Sequence, residues 1–230
     1  MSKKNIYLLV IGIITIFCII AGSIIHLKNT NLFEGDFDEE SNFSNYTVLE
    51  DFESISITGK VLEIKIIEGD VPGIKILSNK EKLLPEVNQN SSKLIINQDN
   101  TGKVYGNSNC KVFITVPDYL SLKDIEIEVN VGTIDISHIY SDSIDVSTNV
   151  GELNFDNIEF QKLEGESNVG EISLKLPNIS DSLDCFNINL STNVGEVNVN
   201  GDKFKKNYNK KGDTSKSIEL CTNVGEIVIK

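Results

Sequence analysis

The sequence predicts an all-β fold: a single-stranded, parallel β-helix-like solenoid, right-handed, behind one N-terminal transmembrane helix. Three observations predict it. Asn-Val-Gly occurs five times, at residues 130–132, 149–151, 168–170, 193–195 and 223–225. Its glycines lie 19, 19, 25 and 30 residues apart, the spacing range of solenoid repeats. On either side of each glycine apolar residues alternate with period two, but on opposite parity, as in Ile144, Val146, Thr148 and Val150 followed by Leu153 and Phe155. Period two means a strand with one buried face, and a phase slip would turn the second strand's apolar set toward water. Each unit therefore reads as strand, glycine corner, strand. Gly132, Gly151, Gly170, Gly195 and Gly225 supply the positive φ that such a corner needs. The alternative is a run of antiparallel hairpins or meanders closed at each Asn-Val-Gly.

Residues 1–4 are short and basic, and residues 5–27 are apolar with no charge before His26. About 20 such residues match the hydrocarbon thickness of a bilayer, so a signal-anchor helix is expected. Lys3 and Lys4 would hold the tail in the cytoplasm and send the rest of the chain outward. The other reading is a signal peptide cleaved near Ala21-Gly22-Ser23. Residues 28–51 are polar and acidic without a period and read as an extracellular spacer. The β-solenoid domain is assigned to residues 52–230. Short β-type runs begin there, separated by turn signals such as Thr58-Gly59 and Pro117-Asp118. Pro85 limits the stretch around Lys82 to a helical turn or a loop.

Ile57-Thr-Gly-Lys-Val-Leu-Glu-Ile-Lys-Ile66, the turn Glu68-Gly69-Asp70, then Val112-Phe-Ile-Thr-Val-Pro-Asp-Tyr-Leu120 and the Gly-[Glu/Thr]-[Ile/Leu/Val] repeats resemble the bacterial "putative adhesin" family of the DUF4097 type. The resemblance covers roughly residues 50–230 and consists of apolar alternation and glycine, so it bears on fold more than on chemistry. It implies a β-helix-like domain on the outer surface of a bacterial cell, and a link in some relatives to envelope-stress responses.

The 21 basic residues are all Lys, and the net charge is −13. With Lys3 and Lys4 set aside this becomes −15, which argues against nucleic-acid binding. One basic cluster, Lys203, Lys205, Lys206, Lys210 and Lys211, falls in an inserted loop. It is either a solvated loop or a contact for anionic wall polymers or lipid head groups. Of the cysteines, Cys110, Cys185 and Cys221 are external and match no disulfide framework or zinc motif. Free thiols are expected, with a Cys185–Cys221 bridge as the alternative.

If the rungs align, the five asparagines form a hydrogen-bonded ladder at ~4.8 Å. Glu152, Glu171, Glu196 and Glu226 form a second column, either a solvated edge or a row bridged by a cation such as calcium. His138 is the single histidine beyond the membrane edge, so triads and histidine metal clusters have no basis. The carboxylates Asp135, Asp145, Glu152 and Asp156 are the remaining candidates for acid–base chemistry, and Asp135 and Asp145 read as ordinary outward strand positions.

The expectation is a non-catalytic surface module without cofactors, membrane-anchored by a single pass, its C-terminal domain extracellular. Its role would be adhesin-like interaction, for example with wall polymers, or envelope sensing through a membrane signalling partner. The chain ends on a repeat, Ile227-Val-Ile-Lys230, so that rung is expected to be an exposed edge and the first place for a contact.

Overall fold

The computed structural model describes residues 43–90, 92–99, 109–177 and 183–230. The expected tail (1–4) and membrane helix (5–27) lie outside the described residues. No helix among the described residues is long and apolar enough to cross a membrane.

The described residues form strands and two 3₁₀ turns. In chain order the first are β1 (Phe43–Val48), β2 (Ser54–Val61), β3 (Glu63–Glu68) and β4 (Gly73–Ser78). The turn Glu81–Leu83 follows, then β5 (Glu86–Gln89), β6 (Lys93–Gln98) and β7 (Cys110–Val116). Long and short strands then alternate: β8 (Leu122–Val131), β9 (Ile134–Ser137), β10 (Tyr140–Val150), β11 (Leu153–Asp156), β12 (Glu159–Val169) and β13 (Ile172–Lys175). After the turn Leu183–Cys185 come β14 (Phe186–Val194), β15 (Val197–Val199), β16 (Asp202–Phe204) and β17 (Asn207–Lys210). The last are β18 (Lys216–Val224) and β19 (Ile227–Ile229). β1 lies inside the stretch read as spacer. Its backbone pairs antiparallel with β4, which sequence periodicity did not signal.

Each rung places one strand in each sheet, and from β8 onward the longer of the two always lies in the same sheet. The sheets run β17-β14-β18-β12-β10-β8-β2-β6-β5 and β1-β4-β7-β3-β9-β11-β13-β19-β15-β16. Strands flanking each Asn-Val-Gly thus lie in different sheets and do not pair with each other, which sets aside the hairpin alternative. Every interior pairing from β6 to β14 and from β7 to β15 is parallel. Inward side chains stack in columns. One is Leu94, Ile55, Ile125, Ile144, Leu163, Ile218 and Ile188, and a facing one is Val112, Ile64, Ile134, Leu153, Ile172, Ile227 and Val197. All are buried between the sheets, so each rung adds apolar burial to its neighbours.

Spatial order departs from chain order at both ends. The last rung, β18/β19, is inserted between β12/β13 and β14/β15. The first, β2/β3, lies between β6/β7 and β8/β9. The expected exposed C-terminal edge is therefore interior: Lys230 N–H donates to the Leu174 carbonyl and its own carbonyl accepts from Leu176 N–H. The outermost rungs are covered by antiparallel strands instead, β4 and β5 at one end and β16 and β17 at the other. Parallel stacking would go on adding copies at an open end, and a reversed strand stops it.

Candidate functional site

At the repeated corner the asparagines form the expected ladder, in the spatial order 130, 149, 168, 223, 193. Asn149 Nδ2 donates to Asn130 Oδ1, and Asn168 to Asn149 (2.6 Å), Asn223 to Asn168 (2.5 Å) and Asn193 to Asn223 (2.6 Å) follow. Backbone bonds run through the turn as well: Gly151 N–H donates to the Val169 carbonyl and Leu153 N–H to Glu171. The corner thus continues the backbone ladder of the sheets, although Thr148 Oγ1 beside it is buried without a partner among the described residues.

Four of the corner glycines have the expected positive φ, Gly132, Gly170, Gly195 and Gly225 at 154–159°, and Gly151 does not. A second constraint acts on all five: a Cβ would overlap the backbone carbonyl of the rung stacked beneath, Gly132 O in the case of Gly151. Non-glycine residues take positive φ at the second corner, at His138 (φ 55°), Asn157 (51°) and Asn200 (51°). Asparagine tolerates that conformation. His138 occupies the same place, its Nε2 3.5 Å from Asn157 Nδ2.

The parity change spans four residues. Thr148 and Leu153 face the core while Asn149 and Val150 face outward, Val150 at 45% exposure, so the tripeptide's valine is not a core residue. Behind the ladder, small hydroxyls brace the glycine carbonyls. Ser167 Oγ donates to Gly151 O (3.0 Å), Thr222 Oγ1 to Gly170 O (3.3 Å) and Thr192 Oγ1 to Gly225 O (3.1 Å).

Glu152, Glu171, Glu226 and Glu196 do follow one another up the stack, since each precedes a paired strand. Among the described residues no group of three or more acids, histidines or cysteines gathers in a way that could hold a metal ion. Glu196 is bound by Lys203 Nζ at 2.6 Å. The lysine cluster is a cap rather than a loose loop: Lys203 lies on β16, Lys210 on β17 and paired with Asp184, and Lys205, Lys206 and Lys211 are exposed beside them.

The candidate carboxylates are dispersed. Asp135 on β9 accepts from Asn154 Nδ2 (2.8 Å), Asp156 meets Lys175 Nζ (3.0 Å), and Asp145 lies on the other sheet. Asp145 belongs to an outward row with Glu126, Glu164 and Glu219. Burial first, then Glu164, holds its carboxyl above the usual range, with Lys162 opposing. The three described cysteines are free. Burial pushes the Cys110 thiol up to about 11 and raises that of Cys221 as well. Neither is an activated nucleophile. Cys221 lies in one column with Ser147 and Ser191, but glutamates share it: Cys221 has Ser191 on one side and Glu166 on the other, and Ser147 lies between Glu166 and Glu128, so the column is not one of small residues alone.

Concavities are also present, among them one of about 600 Å³ beside Lys65, Glu68, Asp70, Asp118 and His138. A polar groove of about 540 Å³ runs over the long-strand sheet beside Asn130, Asn149 and Asn168, with Glu128 and Glu166 on its floor. A groove of about 650 Å³ with mixed lining, Ile74, Ile76, Leu84 and Val87 beside Thr47, Glu50, Gln89 and Asn90, opens at the β1/β5 end. None of these was legible in the sequence, because each is assembled from strands far apart in the chain.

Residues 52–207 match the family model Toastrack DUF4097. The chain belongs to that family. The matched range stops short of β18 and β19, although those strands sit inside the Toastrack stack. A "putative cell adhesion protein" of Clostridium sporogenes has a similar structure, at TM-score 0.67 and 19% identity over 82% of this chain and 99% of that one. A "putative adhesin" of Bacteroides fragilis aligns at TM-score 0.41 and 15% identity over 82% and 97%. The first likeness is one of fold. No curated protein matches this Toastrack chain in sequence.

Proposed function

We propose that the protein is a membrane-anchored, non-catalytic module whose extracellular solenoid makes surface contacts in the manner of an adhesin. One observation carries the reading. The long-strand sheet keeps its strands in parallel register, so its outer face repeats the same side-chain positions from rung to rung, including the contiguous acidic row Glu126, Asp145, Glu164 and Glu219. Such a face suits a partner that is itself repetitive and carries positive charge or many hydrogen-bond donors, because each rung adds a weak contact and the sum is selective. Among the described residues the candidate carboxylates Asp135, Asp145 and Asp156 are dispersed. The names of the structural relatives agree with a contact role.

The experiment is display of the full chain on bacteria, with protease shaving to report sidedness and retention on cationic, neutral and anionic glycan surfaces to report contact. Retention on the cationic surface that falls with salt and with Glu126→Lys plus Glu164→Lys is expected. Equal retention with and without the displayed chain would remove the adhesin reading, and protection from external protease would remove the anchored, outward one.

A further inference from the structure

We propose that the repeated corner is a docking edge for a cationic amphipathic helix of a second protein. The corner valines stack in register, with Val61 at their head. Val61, Val131, Val150, Val169, Val224 and Val194 are partners in unbroken order across β2, β8, β10, β12, β18 and β14. Val131, Val150 and Val194 are 44–50% exposed, and Val61, Val169 and Val224 are half-buried. An apolar side chain exposed singly needs no explanation, but a contiguous row of them marks a contact surface. Threonine would keep the β-branched shape and strand preference at these positions with a hydroxyl toward water. All six rungs carry valine instead.

Charge and spacing together select the guest. Carboxylates border the row on both sides. Toward the long-strand sheet lie the asparagine ladder and then Glu128 and Glu166, which line the polar groove of about 540 Å³. On the other side, one residue past each glycine, run Glu152, Glu171 and Glu226, while Glu196 at the end of that column is held by Lys203. A fitting partner therefore carries an apolar stripe between two rows of cations. A second copy would bring the same carboxylates against these, and the chain's own residues 28–42 carry five acids against one lysine, so like charge disfavours both. Rungs repeat every ~4.8 Å. A helix brings side chains to one face once per turn, about 5.4 Å, and drifts only about 0.6 Å per rung. An extended strand repeats on one face at about 6.7 Å and drifts about 2 Å per rung. Six valines span roughly 24 Å, the length of a helix of about 16 residues. Lysines or arginines beside its apolar stripe would face the polar groove on one side and the glutamate column on the other. This edge is a different column from the acidic row Glu126 to Glu219, and the inference does not rest on the adhesin reading.

The test uses the full chain in micelles of an uncharged detergent and a leucine–lysine peptide of about 18 residues, five helical turns, with its leucines on one face and a benzophenone among them. After illumination, crosslinked segments are mapped. Crosslinks are expected in segments holding Val131, Val150 or Val169. They should fall at least fivefold in Val131→Thr plus Val150→Thr, and likewise in Glu171→Gln plus Glu226→Gln. Circular dichroism checks that both variants fold, and the threonines keep the shape of side chains that are already exposed. Crosslinks that avoid these segments, or that persist in the threonine variant, overturn the proposal. An equal yield from a peptide of the same composition with its leucines scattered around the helix overturns the amphipathic match. An equal yield from a leucine–glutamate peptide overturns the charge match. Label that appears only after residues 28–42 are replaced by glycine and serine puts the chain's own segment on the row. Label that fades as protein concentration rises, together with a disulfide-linked dimer of Val150→Cys, puts a second copy there. Either result replaces the helix.

Discussion

Alanine at position 151 would drive a methyl into the Gly132 carbonyl of the rung beneath, whereas alanine at position 201, on a turn at φ 90°, would meet nothing within 4 Å. The pair separates two reasons for glycine. Backbone angle alone makes Gly201→Ala cost about 1–2 kcal/mol. Overpacking against main chain that cannot move without parting the ladder makes Gly151→Ala cost about 3 kcal/mol or more. Urea unfolding of both variants checks the order, and a costlier Gly201→Ala would mean that the Gly132 carbonyl gives way to the methyl. Asp145 tests the acidic row at the same scale. Its folded pKa is raised, so its carboxyl favours the fold only below the unfolded value of 3.8, and that contribution is lost as pH rises through the folded value. Burial of the carboxylate first, and the like charge of Glu164 on the adjacent strand second, therefore weaken the neutral-pH fold. Asp145→Asn is expected to add a few tenths of a kcal/mol at pH 7 and nothing at pH 3. A gain that persists at pH 3 would point to something other than charge.

The capping strands show what a local pattern can and cannot reveal. Lysines in β16 and β17 are what edge strands carry to discourage further pairing, and here two of them are also tied down, Lys203 to Glu196 and Lys210 to Asp184. Phe204 and Tyr208 hold the cap to the core from half-buried positions, so Phe204→Ala should cost about 1–2 kcal/mol, less than a fully buried phenylalanine. The loss should be local: amide exchange in β14 and β15 quickens while β10 is unchanged. A uniform rise across the stack would mean that the cap is not a separate unit. In the sequence, the strand–corner–strand unit, the asparagine ladder and the glycine positions were all legible, because period two and a fixed tripeptide are local signals. The outward turn of Val150 was not, since an apolar residue in phase with Val146 and Thr148 looks like a core residue until the four-residue corner is seen. β1 was hidden as well. It pairs through backbone at a sheet edge, and its sequence, FSNYTV, lies in an acidic stretch with no clear period. The two grooves depend on which strands become neighbours, which no single strand encodes.

Rung order is the part of the whole molecule that local pattern leaves open, because the rungs are chemically interchangeable. β14 and β18 both present Ile, Leu, Thr and then Asn-Val-Gly at matching positions: 188, 190, 192–195 and 218, 220, 222–225. Either could stack on β12. In the native chain β18 does, and β14 waits for the last residues to arrive before it has a parallel partner, a non-local closure that delays folding. Removing residues 216–230 therefore takes a rung from the interior, and the remaining chain has a second solution. Leu163 would face Ile188, Gly165 would admit Leu190 as it now admits Leu220, Asn193 would donate to Asn168 in place of Asn223, and Thr192 would brace Gly170 O in place of Thr222. On the other sheet Ile172 and Leu174 would meet Val197 and Val199. Every one of these pairs has a native counterpart, so the expected product is a solenoid one rung shorter, less stable by several kcal/mol for the lost burial of Ile218, Leu220, Ile227 and Ile229. Spin labels on the outward positions Lys162 and Asn187 measure it. These residues are separated by β18 in the full chain, about 9.6 Å apart as two strand spacings, and should approach to about one spacing, ~4.8 Å, in the truncated one. A truncated chain that loses cooperative unfolding instead would mean that β18 and β19 carry stacking information their neighbours lack.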